Sequence, residues 1–78
     1  MLESYRTEIL TNALEGRRRE VTEYQVNIDN FRLAIDKISD SDTEMQAFKA
    51  HLQQLLQENI IEQRKSQIML EVIESQIS

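Results

Sequence analysis

The sequence predicts an all-α fold: an antiparallel hairpin of two long helices that pair along a coiled-coil seam. The chain of 78 residues contains no proline and a single glycine, so few residues in it would interrupt a helix. Apolar residues recur at intervals of three and four in both halves, which is the spacing of helices that pack lengthwise. The one cluster of loop-forming residues, Ser39–Thr43, lies at the midpoint. We therefore predict one domain over residues 1–78, with a first helix at about 2–38, a hinge at about 39–42 and a second helix at about 43–77.

The first half carries a regular seam of apolar residues. Its members alternate at intervals of four and three over about four heptads, the pattern of coiled-coil helices. Arg17 interrupts the seam, and the single glycine, Gly16, precedes it. This glycine marks a kink or a close backbone approach, or it is simply tolerated at a cost of about 1 kcal/mol relative to alanine. The apolar seam residues are Leu10, Leu14, Val21, Tyr24, Ile28, Phe31, Ile35 and Ile38.

A capping-box pattern marks the start of the second helix. Ser41 precedes Glu44 by three residues, so the serine oxygen can accept a hydrogen bond from a helix-start N–H while the glutamate reaches back. Asp42 and Glu44 also place negative charge at the positive end of the helix dipole. The second helix is therefore predicted to begin at about residue 42.

The second half begins a similar seam, which becomes polar in its middle. Because a short hinge makes the helices antiparallel, Ile35 is predicted to lie opposite Phe48, and Arg17 opposite Ser66. The polar residues of both seams then meet at one level. We predict an apolar hinge end, a polar waist and an apolar open end. The predicted seam residues of the second helix are Met45, Phe48, Leu52, Leu55, Asn59, Glu62, Ser66, Met69 and Ile73.

More apolar residues lie near the chain ends than one neighbouring helix can cover. In the second helix they point in almost every direction around the axis, and a helix that is apolar on all sides is buried on all sides. The first helix carries a second apolar stripe at the same end. We therefore predict that the open end docks against another chain, most simply a second copy that completes a four-helix bundle, and otherwise a different protein. The predicted partner-binding residues are Leu2, Ile9, Ala13, Ile60, Ile61, Ile68, Leu70, Val72 and Ile77.

The sequence offers little material for catalysis, metal binding or a cofactor. It contains no cysteine and one histidine, His51, which flanks the seam and is expected to lie half in water. Glu58 and Glu62 stand one turn apart without further carboxylates opposite them, and the residue three before His51 is Phe48, not the glutamate of a di-iron bundle. We predict no catalytic, metal or cofactor site, no enzymatic activity and no small-molecule substrate.

The charge pattern argues against nucleic acid and membranes as direct partners. Nine Lys and Arg residues stand against 14 Asp and Glu, and the net charge of −5 opposes phosphate binding, which needs surplus cations. No apolar run approaches the length that spans a bilayer, and the first residues lack the pattern of a secretory signal, so a cytoplasmic location is expected. Arg17–Arg19, predicted to lie opposite Arg64 and Lys65, form a cationic belt at the waist. The belt either forms ion pairs, with Arg17 reaching Glu62, or docks an acidic partner or a phosphate backbone.

These patterns favour a non-enzymatic protein–protein interaction module: an oligomeric coiled-coil adaptor, an assembly factor or a structural subunit. The alternative is a small acidic regulator or inhibitor of a nucleic-acid-handling enzyme, such as a phage-encoded protein that acts on a host enzyme. Such a regulator would make contact through the acidic hinge residues Asp40, Asp42 and Glu44, and its affinity would fall steeply as salt rises.

Overall fold

Two long helices that pack against each other make up the fold. In the computed structural model, helix α1 spans Leu2–Asp36 and helix α2 spans Gln46–Ile77, and a 3-10 turn at Thr43–Met45 leads into α2. The structure describes residues 2–77, with side chains from residue 3 onward. This part of the chain contains no strand, and α1 packs along α2, which confirms the predicted all-α hairpin. The hairpin is a rod of about 64 × 15 × 14 Å.

Helix α1 buries the seam that the sequence predicts. All of its predicted seam residues, Arg17 included, are buried or half-buried, whereas intervening residues such as Asp29 and Asn30 are exposed. Ile28 lies near the middle of the seam, and only 2% of its surface remains exposed. Because burial of one isoleucine side chain contributes about 1.5–3 kcal/mol, the seam supplies a large part of the free energy that holds α1 against α2.

The seam of helix α2 differs from the predicted one at several positions. Phe48, Glu62 and Met69 were predicted to face α1, but all three are exposed, and the residue that follows each of them is buried or half-buried instead. Both registers share Leu52, Asn59, Ser66 and Ile73, so the spacing alone does not separate them. The observed series of buried and half-buried residues with alternating spacing is Lys49, Leu52, Leu56, Asn59, Gln63, Ser66, Leu70 and Ile73.

The two helices are also shifted along each other relative to the predicted pairing. Ser66 contacts Glu20, with 2.5 Å between Ser66 Oγ and Glu20 Oε2, whereas Arg17 was predicted to lie opposite it. The difference lies at the turn. The 3-10 turn Thr43–Met45 precedes α2, which begins at Gln46, three residues after its predicted start, so the chain reverses later than predicted.

Side chains other than the predicted capping box hold the turn together. The hydroxyl of Ser41 is hydrogen-bonded to that of Ser39, and the N-cap residue Asp42 makes no side-chain capping bond, so the capping-box prediction is wrong. Gln46 Nε2 instead donates to the carbonyls of Ser39 (2.9 Å) and Asp42 (2.8 Å). Lys49 Nζ donates to the carbonyl of Ile38 (3.1 Å) and to Asp40 Oδ1 (2.7 Å). Contacts from the first turns of α2 therefore fix the geometry that the Ser41 cap was expected to fix.

Replacing Gly16 with alanine is expected to stabilise the hairpin by about 1 kcal/mol, the difference in helix propensity between the two residues. Helix α1 continues through Gly16, the residue has no left-handed backbone, and a Cβ added there meets nothing within 4 Å. Urea unfolding at a fixed protein concentration measures the change. A loss of stability would contradict the tolerated, purely helical role that the structure gives this glycine.

Candidate protein-contact surface

Most of the side chains predicted to bind a partner are exposed on the hairpin. Ile9 is 66% exposed, Ile68 52% and Ile61 48%, and Val72 and Ile77 are nearly as open. Large branched apolar side chains gain free energy when they leave water, so their exposure in one region indicates a contact surface more strongly than scattered single residues do. These exposed apolar residues are the first members of the candidate contact surface.

The remaining predicted contact residues are placed differently. Leu70 is buried, because it belongs to the seam of α2, and it is therefore unavailable to a partner of the intact hairpin. Ala13 and Ile60 are half-buried. The side chain of Leu2 lies outside the part that the structure describes. The same register difference that exposes Met69 thus removes Leu70 from the predicted surface.

Three of the exposed residues form a stripe on the side of α2 that points away from α1. Successive residues of an α-helix are rotated by about 100°, so Ile68 points about 200° away from its seam neighbours Ser66 and Leu70. Ile61 and Val72 lie on the same outward side, and Lys65 fills the heptad position between Ile61 and Ile68. This set of four residues, about 17 Å long at 1.5 Å per residue, is called the outer stripe below.

A separate pair of exposed apolar residues lies near the start of α1. Tyr5 and Ile9 stand one helical turn apart, and each is 66% exposed. Because the outer stripe points away from α1, this pair cannot form one continuous surface with it. Ile9 was a predicted contact residue and Tyr5 was not, although the four-residue spacing between them was a usable signal. The exposed predicted contact residues therefore do not form one surface: Ile9 lies on α1, and Ile77, one turn after the seam residue Ile73, lies on the inner side of α2.

Charged residues flank the outer stripe. Arg64 and Glu71 lie on one edge, each directly before a stripe residue, and they are seven residues apart. Arg64 forms no ion pair with any other residue that the structure describes. Glu71 accepts one long hydrogen bond, from Gln67 Nε2 at 3.4 Å. On the other edge, Glu62 accepts from Lys65 Nζ at 2.9 Å, so the predicted Arg17–Glu62 pair is wrong.

The polar waist lies on the inner side of α2, opposite the outer stripe. Ser66, which is buried, donates its hydroxyl hydrogen to Glu20 Oε2, and Arg17 Nη1 binds the same oxygen at 3.1 Å. Gln63 Nε2 donates to the carbonyl of Val21 (3.1 Å) and to Gln25 Oε1 (2.8 Å). These bonds satisfy polar groups that the helix contact covers, so the waist fixes the register of the helices.

Ion pairs within the hairpin occupy part of the cationic belt. Arg17 pairs with Glu20, and Arg18 Nη2 lies 3.8 Å from Glu74 Oε2 on α2. The side chains of both pairs are between 37% and 59% exposed, and ion pairs that solvent reaches contribute less than about 1 kcal/mol. Of these two pairs, Arg18–Glu74 joins the helices, and it does so weakly. Arg19 and Arg64 form no ion pair with another described residue, so part of the positive charge of the belt stays uncompensated.

The hydrogen bond from Ser66 lowers the pKa of the Glu20 carboxyl, and Arg17 adds to this effect against the opposing influence of partial burial. Because this pKa is lower in the folded chain than in the unfolded one, ionised Glu20 stabilises the fold above the ordinary glutamate pKa of about 4.3. That stabilisation is lost as the pH falls through the lowered value. Replacing Ser66 with alanine is expected to raise the Glu20 midpoint in an NMR pH titration.

Ser75→Ala is the matched control for this titration, because the Ser75 hydroxyl donates to the carbonyl of Val72 and is far along α2 from Glu20. The control is expected to leave the Glu20 midpoint unchanged. An unchanged midpoint in the Ser66 variant as well would contradict the role given to the Ser66–Glu20 bond.

The candidate catalytic and metal-binding residues of the sequence do not lie together in the structure. Within residues 3–77, no group of three or more His, Cys, Asp or Glu side chains is placed to hold a metal ion. His51 is exposed, and Glu58 accepts a hydrogen bond from Gln54 at 3.2 Å. A shallow, open groove of about 450 Å³ runs between the helices, and it is lined by Val21, Gln25, Ile60, Gln63, Arg64 and Gln67.

No helix in the described part of the chain combines the length and the apolar character that a bilayer crossing requires. Comparison of the chain with protein-family models, with curated proteins and with solved structures finds no match. The function is therefore inferred from the exposed apolar residues of the hairpin.

Proposed function

We propose that this protein acts through protein–protein contact, as a self-associating helical adaptor, assembly factor or structural subunit. The observation that carries the proposal is the outer stripe, which presents Ile61, Ile68 and Val72 on the side of α2 that the hairpin itself leaves uncovered. Burying the exposed half of one isoleucine side chain contributes about 1 kcal/mol. Several such residues on one face give a second chain a continuous gain in free energy along the helix.

The ion pairing of a hinge carboxylate favours self-association over the acidic-regulator alternative. That alternative requires free carboxylates at the turn, but Asp40 is already paired with Lys49 at 2.7 Å, and the Lys49 bond lowers the pKa of Asp40. The two remaining hinge carboxylates, Asp42 and Glu44, make a small acidic surface. The outer stripe is the larger feature. Because the outer stripe lies on the side of α2 opposite α1, such a dimer would place its four helices side by side, with the two α2 helices in the middle, and not around the common core of the predicted four-helix bundle.

The mass of the native complex recovered from the protein's own cell, with every co-purifying chain identified, tests the proposed function. A complex made only of copies of this chain supports self-association. A complex with a different protein supports an adaptor role and overturns self-association as its basis. Recovery of the single chain alone would overturn the proposal.

A further inference from the structure

We infer that the outer stripe binds the outer stripe of a second copy in antiparallel orientation, with Arg64 of each copy paired with Glu71 of the other. This inference rests on the proposed function and specifies its partner and geometry. A symmetric dimer presents the same surface on both chains, so the stripe must be complementary to itself. The residues of the stripe and its edge meet this condition in one orientation only.

The order of residues along the stripe favours the antiparallel arrangement. When two copies run antiparallel, Ile61 of one lies opposite Val72 of the other, and Lys65 lies opposite Ile68. Each lysine can then lay its aliphatic stem along an isoleucine and keep its ammonium group in water. In a parallel pair, Lys65 would lie directly opposite Lys65 of the second copy, and like charges in one layer oppose association.

The charges on the edge of the stripe favour the same arrangement. Arg64 and Glu71 lie on one edge, about 10 Å apart along the helix, and antiparallel packing brings this edge against the same edge of the second copy. The two-fold axis then places Arg64 opposite Glu71 twice. In a parallel pair the edge would meet the opposite edge, where Met69 faces Arg64 and no ion pair forms.

Arg64 and Glu71 are both available to pair with a second copy. Among the described residues Arg64 has no ion-pair partner, and Glu71 makes only the long bond with Gln67. Neither residue is buried, so turning toward a second chain costs the hairpin little beyond the long Gln67–Glu71 bond. Two symmetric ion pairs would set the orientation, and the apolar stripe would supply most of the affinity.

Charge reversal at these two positions tests the inference. Arg64→Glu alone creates two Glu–Glu contacts in the antiparallel dimer, and Glu71→Arg alone creates two Arg–Arg contacts. Each single variant is expected to dimerise at least about tenfold more weakly than the natural chain in sedimentation equilibrium. An equimolar mixture of the two is expected to regain wild-type affinity as a heterodimer, because both contacts are again of opposite charge. The double variant R64E/E71R is expected to behave like the natural chain.

Arg19→Glu is the matched control, because Arg19 is an exposed arginine of α1 and its reversal changes the net charge by the same amount. It is expected to leave the dimer intact, and circular dichroism establishes that every variant keeps its helices. A wild-type dimer that ignores both single reversals would overturn the antiparallel pairing and leave the proposed function standing. A wild-type monomer would overturn both. A wild-type assembly larger than a dimer would overturn the closed two-fold pairing.

Discussion

Replacing Ile28 with alanine is expected to destabilise the hairpin by about 3 kcal/mol, the typical cost of removing most of a buried isoleucine side chain. Ile28 is 2% exposed, and it packs in the seam of α1, two turns before the end of the helix. Small domains unfold with a free energy of about 5 kcal/mol, so this one change would remove much of the total stability. Urea unfolding followed by circular dichroism measures it.

Val26→Ala serves as the matched control for Ile28→Ala. Val26 lies two residues earlier on the same helix and is 52% exposed, so its truncation is expected to change stability by less than about 0.5 kcal/mol. Both variants and the natural chain must be compared at one protein concentration, because association would contribute to apparent stability. Equal effects at the two positions would contradict the assignment of Ile28 to the buried seam.

Placing glutamates on the outer stripe is expected to abolish association while the hairpin remains folded. Ile68→Glu with Val72→Glu would put two carboxylates into the proposed contact, where they lose hydration without gaining partners. We expect the dimer dissociation constant to rise at least about 100-fold. The seam residues Leu70 and Ile73 stay packed against α1, so circular dichroism is expected to show unchanged helix content.

A second double variant, Val26→Glu with Leu33→Glu, controls for added charge and lost apolar surface. Val26 is 52% and Leu33 62% exposed, and both lie on α1, outside the outer stripe. We expect this variant to associate like the natural chain. Loss of association in both double variants would indicate a general effect of charge, and retention in both would remove the outer stripe from the contact surface.

The seam of α1 could be predicted from the sequence because its pattern is unambiguous. Polar or charged residues flank most of its members, such as Ile28, which lies between Asn27 and Asp29. Only one face of the helix can then be buried. The structure confirms these positions because the hydrophobic pattern and the packing select the same residues.

The seam of α2 could not be predicted in the same way, because apolar residues stand side by side along it. Met69 and Leu70 are neighbours, as are Leu55 and Leu56, so either register can bury an apolar residue at these levels, and only packing against α1 selects Leu70. This ambiguity explains why Leu70 was assigned to the exposed surface and Met69 to the seam. The helix pairing and the Ser66–Glu20 bond depend on contacts between residues 46 positions apart, which no local pattern encodes.

The turn shows a second limit of local patterns. The Ser41–Glu44 spacing fits a capping box, but Lys49 and Gln46 compete for the same region with bonds to backbone carbonyls and to Asp40. Lys49 reaches these groups because it takes the seam position that the predicted register gave to Phe48. The error in the cap and the error in the seam therefore share one cause, the register of α2.

The mass of the purified natural chain in solution, measured by light scattering over a range of concentrations, tests the proposed self-association most directly. The chain itself weighs 9.2 kDa. A contact of this length predicts a dissociation constant of about the micromolar range, so the mass should rise to twice the chain mass as concentration increases. A folded, helical protein that stays at 9.2 kDa up to millimolar concentration would show that the outer stripe remains in water and would contradict the proposal.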